Sequence, residues 1–246
     1  LMAVSATGFS AGSVTALSGA QSDRVSAALR RPAERLAQEA ESTRVKLSAF
    51  GQAQSATAAV QTASRTLQDA RQISSAADAR RAAETFAQAF NAERAALASA
   101  SGNGAAGAAA VPEGARASIG ASQLERVVAD NATAFRDAGI RVQQDGSLTV
   151  DAKALEAAYA TNPSAVTQAL GAVGRAAEAT ATRQLGSNGS IGAAVNNLNT
   201  RLQQLETRQE NVRVRADESQ RAVEASARRY GFGAVGAGAY LGIFGL

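Results

Sequence analysis

The sequence predicts a mainly α-helical, elongated protein with an N- and C-terminal coiled coil and a small α/β-hairpin domain. Apolar side chains recur in alternating steps of four and three residues near both ends of the chain, as in helices that pack along a narrow seam. Alanine supplies much of the 46% apolar content and aromatic residues supply only 4%, which favours close helix–helix contact over a broad core. One Asp-Gly pair between two short alternating segments predicts a single β-hairpin.

The N-terminal third is predicted to contain a flexible segment followed by coiled-coil helices. Residues 1–22 are rich in Gly, Ser and Thr and cannot bury enough apolar area to order by themselves. Residues 23–73 are predicted to be helical, with a break at Pro32, because the fixed φ and missing amide of proline suit the first turn of a new helix. The seam begins at Pro32 and resumes in a shifted phase beyond Gly51. Its members are Ala33, Leu36, Ala40, Thr43, Leu47, Phe50, Ala53, Val60 and Leu67.

The middle of the chain, residues 79–185, is predicted to combine helices with the hairpin. Phe86 and Phe90 lie on one side of a helix over about 79–98, and a Gly/Ala-rich loop follows over about 99–120. Another helix is expected over 122–138. The hairpin occupies about 140–150, and Asp145-Gly146 forms its structural turn.

Capping residues then predict two further helices and a loop. Asp151 is expected to cap a short helix, and Asn162, followed by Pro163, is expected to begin the next one. The Gly-rich run 185–189 is the predicted connection to the last helix.

The longest predicted helix covers residues 189–230, without proline or glycine from Ala193 onwards. A helix of this length is roughly 60 Å long, so it needs a partner, and the helices of residues 23–73 are the natural candidate. Residues 231–246 form a Gly-rich apolar tail, too short to span a bilayer. The tail is expected to dock in an oligomer interior or to stay disordered.

The residue types present argue against catalysis and against nucleic-acid binding. The chain has no Cys and no His, which excludes thiolate chemistry, histidine bases and nearly all zinc sites. Gly102 to Gly107 fits a G-x-G-x-x-G pattern, but a helical run precedes it where a phosphate site needs a strand. The net charge is +4, yet the arginines of the last helix alternate with acids, which is typical of a solvated helix face. No enzyme activity, cofactor, metal site, nucleic-acid partner or membrane span is expected.

Four stretches of the chain carry recognisable motifs in a definite order: Thr7–Gly12 with Val25–Leu36, Phe86–Asn91, Gly139–Val166, and Gly189 to Ile191. Together they resemble the bacterial flagellar filament cap proteins, also called hook-associated protein two. The third stretch is the most specific, because it fits that family's "G-I … D-G-x-L-x-l-D … L … n-P-x-x-V" run in order and spacing. Two features depart from the family: its large outer domains look absent, and the chain ends in the Gly-rich tail.

The resemblance implies a structural cap at the distal end of the flagellar filament, which forms a homo-oligomer and assists the insertion of flagellin. Such a protein is extracellular and is exported by the flagellar type III apparatus without a cleaved signal peptide. The implied partners are further copies of the chain, flagellin, hook–filament junction proteins, the export apparatus and a cytosolic export chaperone. Two alternatives remain open: another axial component, such as a minor flagellin or junction protein, and a non-flagellar coiled-coil scaffold.

Large apolar residues of the two seams are the predicted coiled-coil or oligomer interface. Periodicity leaves open whether each one packs within the chain or between subunits. Charged residues beside the C-terminal seam, such as Arg201, Glu206 and Arg213, are candidates for selecting the neighbour. The predicted interface residues are Leu29, Leu36, Leu47, Phe50, Val60, Leu67, Ile191, Val195, Leu198, Leu202, Leu205, Val212 and Val223.

Overall fold

The computed structural model describes residues 11–102 and 112–243, with side chains described over 30–101, 114–222 and 224–225. The fold is mainly α with one small hairpin, which confirms the predicted class. The elements in chain order are α1 (Ala11–Gln68), a 3₁₀ turn (Ala70–Gln72), α2 (Ala76–Gly102), α3 (Pro112–Asp130), α4 (Ala132–Asp137), β1 (Ile140–Val142), β2 (Leu148–Val150), α5 (Ala152–Thr161), α6 (Pro163–Leu185) and α7 (Ser190–Ile243).

The chain divides into two compact units. We call residues Thr43–Arg201 the central unit; it holds the hairpin, α2 to α6 and one part each of α1 and α7. We call the other the terminal unit; its described residues are 11–42 of α1 and 202–243 of α7. Both long helices therefore contribute to both units.

The predicted break at Pro32 is wrong, because α1 is one continuous helix with Pro32 inside it. An internal proline removes one helix hydrogen bond and costs about 3 kcal/mol. Arginine, alanine and glutamate, all strong helix formers, flank Pro32 and favour continuation of the helix across it. The expected flexibility of residues 1–22 stays a prediction: residues 11–22 belong to α1, and residues 1–10 lie outside the described part of the chain.

The core of the central unit is built around the aromatic face of α2. The rings of Phe86 and Phe90 lie 6.0 Å apart, and the ring of Phe135 from α4 lies 6.3 Å from that of Phe86. Leu155 of α5 and Leu170 of α6 are fully buried in the same cluster. Helix α2, which carries two of the three rings, packs against α3, α5 and β2, whereas α4 packs mainly on α6.

The hairpin and its flanking caps are confirmed. Strands β1 and β2 are antiparallel, with Ile140 opposite Val150 and Val142 opposite Leu148. Gly146 has a φ of +79°, which favours glycine in the turn. The side chain of Asp151 accepts a hydrogen bond from the Ala154 amide at the start of α5. Asn162 accepts in the same way from the Ala165 amide at the start of α6.

The loop predicted over 99–120 is too long, and the helix predicted over 122–138 is divided. Helix α2 continues to Gly102, and α3 begins at Pro112, where the missing amide of proline is harmless. Helix α3 ends before Asn131, whose side chain donates to the Val127 carbonyl at 2.8 Å. A polar side chain that competes for a helix carbonyl favours such an ending. Residues 103–111 lie outside the described part of the chain.

Helix α7 continues through the Gly-rich segment as far as Ile243. Most of the predicted tail 231–246 is therefore part of the same helix as residues 190–230, and residues 244–246 lie outside the described part. Alanine and large apolar residues separate the glycines, and no proline interrupts them. Each glycine lowers helix stability by about 1 kcal/mol relative to alanine, and the better helix formers between the glycines favour continuation of the helix.

Candidate assembly surface

Buried positions on α1 follow the predicted seam and its change of phase. Steps of three and four lead along the N-terminal part of the seam, and two consecutive steps of three connect Leu47, Phe50 and Ala53. An insertion of three residues into a heptad pattern shifts the stripe around the helix. The least exposed positions along the described seam are Leu36, Ala40, Thr43, Leu47, Phe50, Ala53, Thr57, Val60, Ser64 and Leu67.

The corresponding stripe on α7 keeps one phase over its described length. Ile191, Leu198 and Leu205 are buried, whereas Val195 and Leu202 are half-buried. From Leu198 onwards every less exposed position follows the last by four or three residues. Beyond Leu205 these positions are half-buried and mostly small or polar: Gln209, Val212, Ala216 and Ser219.

In the central unit the two seams contact each other inside the core. Phe50 of α1 forms a buried cluster with Ala194 and Leu198 of α7 and Ala117 of α3, and Leu47 and Val195 pack at its edge. Val60, Leu67 and Ile191 belong to the larger core built around α2. These side chains stabilise the chain's own fold and are not accessible to another subunit while the core is closed.

In the terminal unit the seam is less deeply buried. Leu205 is 3% exposed, whereas Leu36, Leu202 and Val212 are half-buried. Leu29 and Val223 lie where side chains are not described. The half-buried residues are the members of the predicted interface that retain accessible apolar surface, and their contact with other subunits stays a prediction.

The hairpin is held on α2 by side chains of that helix. The Asn91 Nδ2 donates to the Leu148 carbonyl at 2.9 Å, and the Leu148 amide donates to Asn91 Oδ1 at 2.8 Å. Asn91 thus binds the outer edge of β2 as a neighbouring strand would. Arg94 donates to the Asp145 carbonyl, so the predicted turn Asp145-Gly146 is attached to α2 as well.

Charged side chains fix two other contacts. In the central unit Arg65 of α1 binds Glu178 of α6 at 2.7 Å, and Gln68 donates to the other oxygen of the same carboxylate. These bonds hold the pKa of Glu178 below its ordinary value, with the Arg65 hydrogen bond as the larger cause. In the terminal unit Arg213, one of the candidate selectors, pairs with Glu210 on its own helix at 2.9 Å. Arg213 is therefore already engaged within α7.

A carboxyl group is also buried in the core. Glu93 of α2 is 0% exposed, and its Oε1 accepts a hydrogen bond from Thr57 of α1 at 2.9 Å. Burial raises the pKa of Glu93 to about 7, and the Thr57 hydrogen bond partly opposes this. The side chain lies one turn from Phe90 and from Leu97, so sequence periodicity marks it as an acid within an apolar stripe.

The described residues hold neither of two other kinds of functional feature, a metal site or a membrane-spanning helix. No group of three acidic side chains there could hold a metal ion. None of the helices there is both long and apolar enough to cross a bilayer.

Replacing Asn91 with alanine is expected to lower the free energy of unfolding by about 2 kcal/mol, since Leu148 is buried and would lose both partners. Hydrogen exchange at the Leu148 amide measures the local effect, and urea unfolding measures the total. Gln143→Ala is the matched control, because Gln143 donates to Thr149 across the exposed face of the same hairpin at 2.7 Å. Equal losses of unfolding free energy in the two variants would show that the Asn91 hydrogen bonds stabilise the fold no more than the exposed Gln143–Thr149 hydrogen bond does.

Sequence reasoning found Asn91 only through the resemblance, and it did not identify Arg94, Glu93 or the Arg65–Glu178 contact. A polar residue directly after the Phe86–Phe90 pair is the single local signal for Asn91. Periodicity marks Glu93 itself as an acid in an apolar stripe, but the partners of Glu93, Arg94 and Arg65 are distant in sequence, and no local pattern points to those partners.

Comparison with known proteins agrees with the architecture. Residues 77–228 match the family model described as the flagellar hook-associated protein 2 C-terminus, a match that includes almost all of α2, all of α3 to α6 and much of α7. Among curated proteins, and among solved structures, no significant match is found. The family match covers more than half of the 246 residues. The chain therefore belongs to the flagellar hook-associated protein 2 family.

Proposed function

We propose that this protein is the cap at the distal end of the flagellar filament, where it acts as a homo-oligomer and assists flagellin insertion. The observation that carries the proposal is the family match over residues 77–228. The cap works outside the cell, after export through the flagellar type III apparatus without a cleaved signal peptide. Its partners are flagellin, the hook–filament junction proteins, the export apparatus and a cytosolic chaperone.

The terminal unit is the proposed moving part of the cap. Its seam is half-buried at Leu36, Leu202 and Val212, and the seam positions after Leu205 are, apart from Val212, small or polar. Such a stripe buries little apolar area in each contact. Because each Å² of buried apolar area contributes only about 25 cal/mol, each contact is weak. Weak contacts of this kind suit a cap that must release and rebind each time a flagellin subunit is added.

No catalytic role is proposed. The cap acts by presenting surfaces, and the chain lacks the histidine and cysteine side chains that most often act as base or nucleophile.

Leu202→Asp is expected to abolish filament growth and to leave unpolymerised flagellin in the medium. Loss of roughly half of a leucine's burial, about 1–1.5 kcal/mol, weakens a seam contact around tenfold. The measurement complements a gene deletion with the wild-type chain or the variant, then combines electron microscopy of filaments with assay of secreted flagellin.

Val214→Asp is the matched control, because Val214 lies on the same helix but is 42% exposed and outside the seam. It should support filaments of normal length. Near-normal filaments in the deletion itself would contradict the cap role and favour a minor axial component. Normal filaments with Leu202→Asp alone would contradict the role of the seam and leave the cap role intact.

A further inference from the structure

Two grooves with opposite charge lie on the helix pair α3–α6. The basic groove, about 600 Å³, lies where the beginning of α3 meets the end of α6 and the turn before α7; its charged residues are Arg116 and Arg183. The acidic groove, about 590 Å³, lies where the end of α3 and α4 meet the beginning of α6; its charged residues are Asp130 and Asp137. Among the described residues that line them, the basic groove has no acid and the acidic groove has no base.

The two grooves also differ in shape. Ile119 stands at the basic groove and is 53% exposed, an unusual exposure for a branched apolar side chain. The acidic groove is walled largely by alanines, among them Ala132, Ala165 and Ala169. The basic groove therefore offers an exposed branched apolar side chain together with Arg116 and Arg183. The acidic groove offers small alanine walls together with Asp130 and Asp137.

Both features lie on one face of the helix pair. On α3, Arg116 and Asp130 are separated by fourteen residues, close to four full turns, so they point the same way about 21 Å apart. On α6, Gln168 of the acidic groove and Thr182 of the basic groove have the same separation. The beginning of each helix adjoins the end of the other, so the pair is antiparallel.

We propose that a second copy of this chain docks on this face, related by a twofold axis midway between the grooves. Each copy then inserts Ile119 into the alanine-walled hollow of the other, and Arg116 and Arg183 lie against Asp130 and Asp137. A twofold axis satisfies both contacts at once, which is the property of a self-complementary interface. The pairing stands independently of the proposed cap role, because it rests only on the two grooves.

Size and charge make this pairing weak. A face two helices wide and about 25 Å long offers roughly 500 Å² on each copy, below the ~800 Å² of a standard interface. Arg126 lies on the same stripe between the grooves, so pairing brings the two copies of Arg126 close to the axis. Asp137 is also shared with Arg136, whose Nε is 3.8 Å from its carboxylate. Association should therefore be salt-sensitive, and Arg126→Ala should tighten it.

Charge reversal tests the pairing with full-length protein. Arg116→Asp with Arg183→Asp makes the whole face acidic, and Asp130→Arg with Asp137→Arg makes it basic. Each double variant alone should lose this pairing and sediment as a smaller species than the wild-type protein at low salt, whereas a mixture should form a 1:1 pair at least tenfold tighter than either alone. Circular dichroism checks that each variant is folded. Absence of association in the mixture, or assembly beyond the 1:1 pair through this face, would overturn the proposal.

Disulfide trapping tests the same contact without changing charge. The chain has no cysteine, so an introduced thiol is unique. A mixture of Ile119→Cys and Ala165→Cys proteins should form a cross-linked heterodimer faster than either protein alone. Val45→Cys is the control, since Val45 is 62% exposed on α1, away from this face. Equal cross-linking of the control would overturn the pairing, and filament assays with the same variants report separately on the cap role.

Discussion

Raising the pH from 4 to 8 is expected to cost the wild-type fold about 3 kcal/mol more than it costs a Glu93→Gln variant. Glu93 is fully buried, and its Oε2 has no hydrogen-bond partner among the described residues. Burial raises its pKa from 4.5 to about 7, so the folded chain keeps a proton there that the unfolded chain releases. The stability due to this proton is fully present below pH 4.5 and is lost as the pH rises through 7. Each unit of pKa difference corresponds to about 1.4 kcal/mol.

Urea unfolding of both proteins across this pH range measures the effect. Subtraction of the two curves isolates Glu93, because the acids with lowered pKa, such as Asp145 and Asp151, are common to both proteins. Those acids have the opposite sign: their contribution is present above pH 4 and is lost as the pH falls. Glu178→Gln is the matched control and should lose stability relative to wild type as the pH rises. A difference between wild type and Glu93→Gln that stays constant with pH would contradict the prediction.

Replacing Gly174 with alanine is expected to lower the free energy of unfolding by about 3 kcal/mol, the upper end for an overpacked core. A methyl group at Gly174 would lie 2.5 Å from the Ser64 carbonyl oxygen and 3.0 Å from Leu67 Cβ. Both obstacles belong to α1, and one of them is backbone. Helices α1 and α6 would therefore have to separate, which would also weaken the Arg65–Glu178 contact.

Gly171→Ala provides the matched control one turn earlier on α6. A methyl group there meets only the flexible end of Arg175, at 3.3 Å, and the Leu67 carbonyl at 4.0 Å. Alanine is the better helix former, so this variant should be neutral or gain up to about 1 kcal/mol. Thermal and urea unfolding of the two variants give the comparison. A loss for Gly174→Ala no larger than that for Gly171→Ala would rule out close helix approach as the reason for glycine.

Local signals in the sequence predicted the parts of the fold whose cause is local. The Asp145-Gly146 turn and the caps at Asp151 and Asn162 each depend on a few adjacent residues, and all are confirmed. The shifted phase beyond Gly51 is matched by the buried positions of α1. The predicted break at Pro32 is wrong, because helix propensity describes the cost of proline correctly but not the ability of a long helix to tolerate it.

The contacts that depend on chain topology could not be predicted from the residues alone. Asn91 binds Leu148, which is 57 positions away, and Thr57 meets Glu93 across 36 positions. Periodicity also could not separate seam residues inside the core, such as Phe50 and Leu198, from those that stay accessible, such as Leu202. The difference arises from which helices surround each part of the seam, and that is a property of the folded chain.

The two consecutive steps of three at Leu47, Phe50 and Ala53 affect how α1 can be aligned with a partner helix. A uniform heptad stripe is degenerate, because a slide of seven residues restores the same pattern of knobs and holes. The irregularity on α1 removes this degeneracy, because a slide of seven residues would place part of the regular α7 stripe against the portion of α1 whose stripe has turned to another side of the helix. The alignment that seats Phe50 against Ala194 and Leu198 is thereby distinguished from its neighbours seven residues away. The irregularity therefore helps to set the register between two helices whose sequences are otherwise repetitive and rich in alanine.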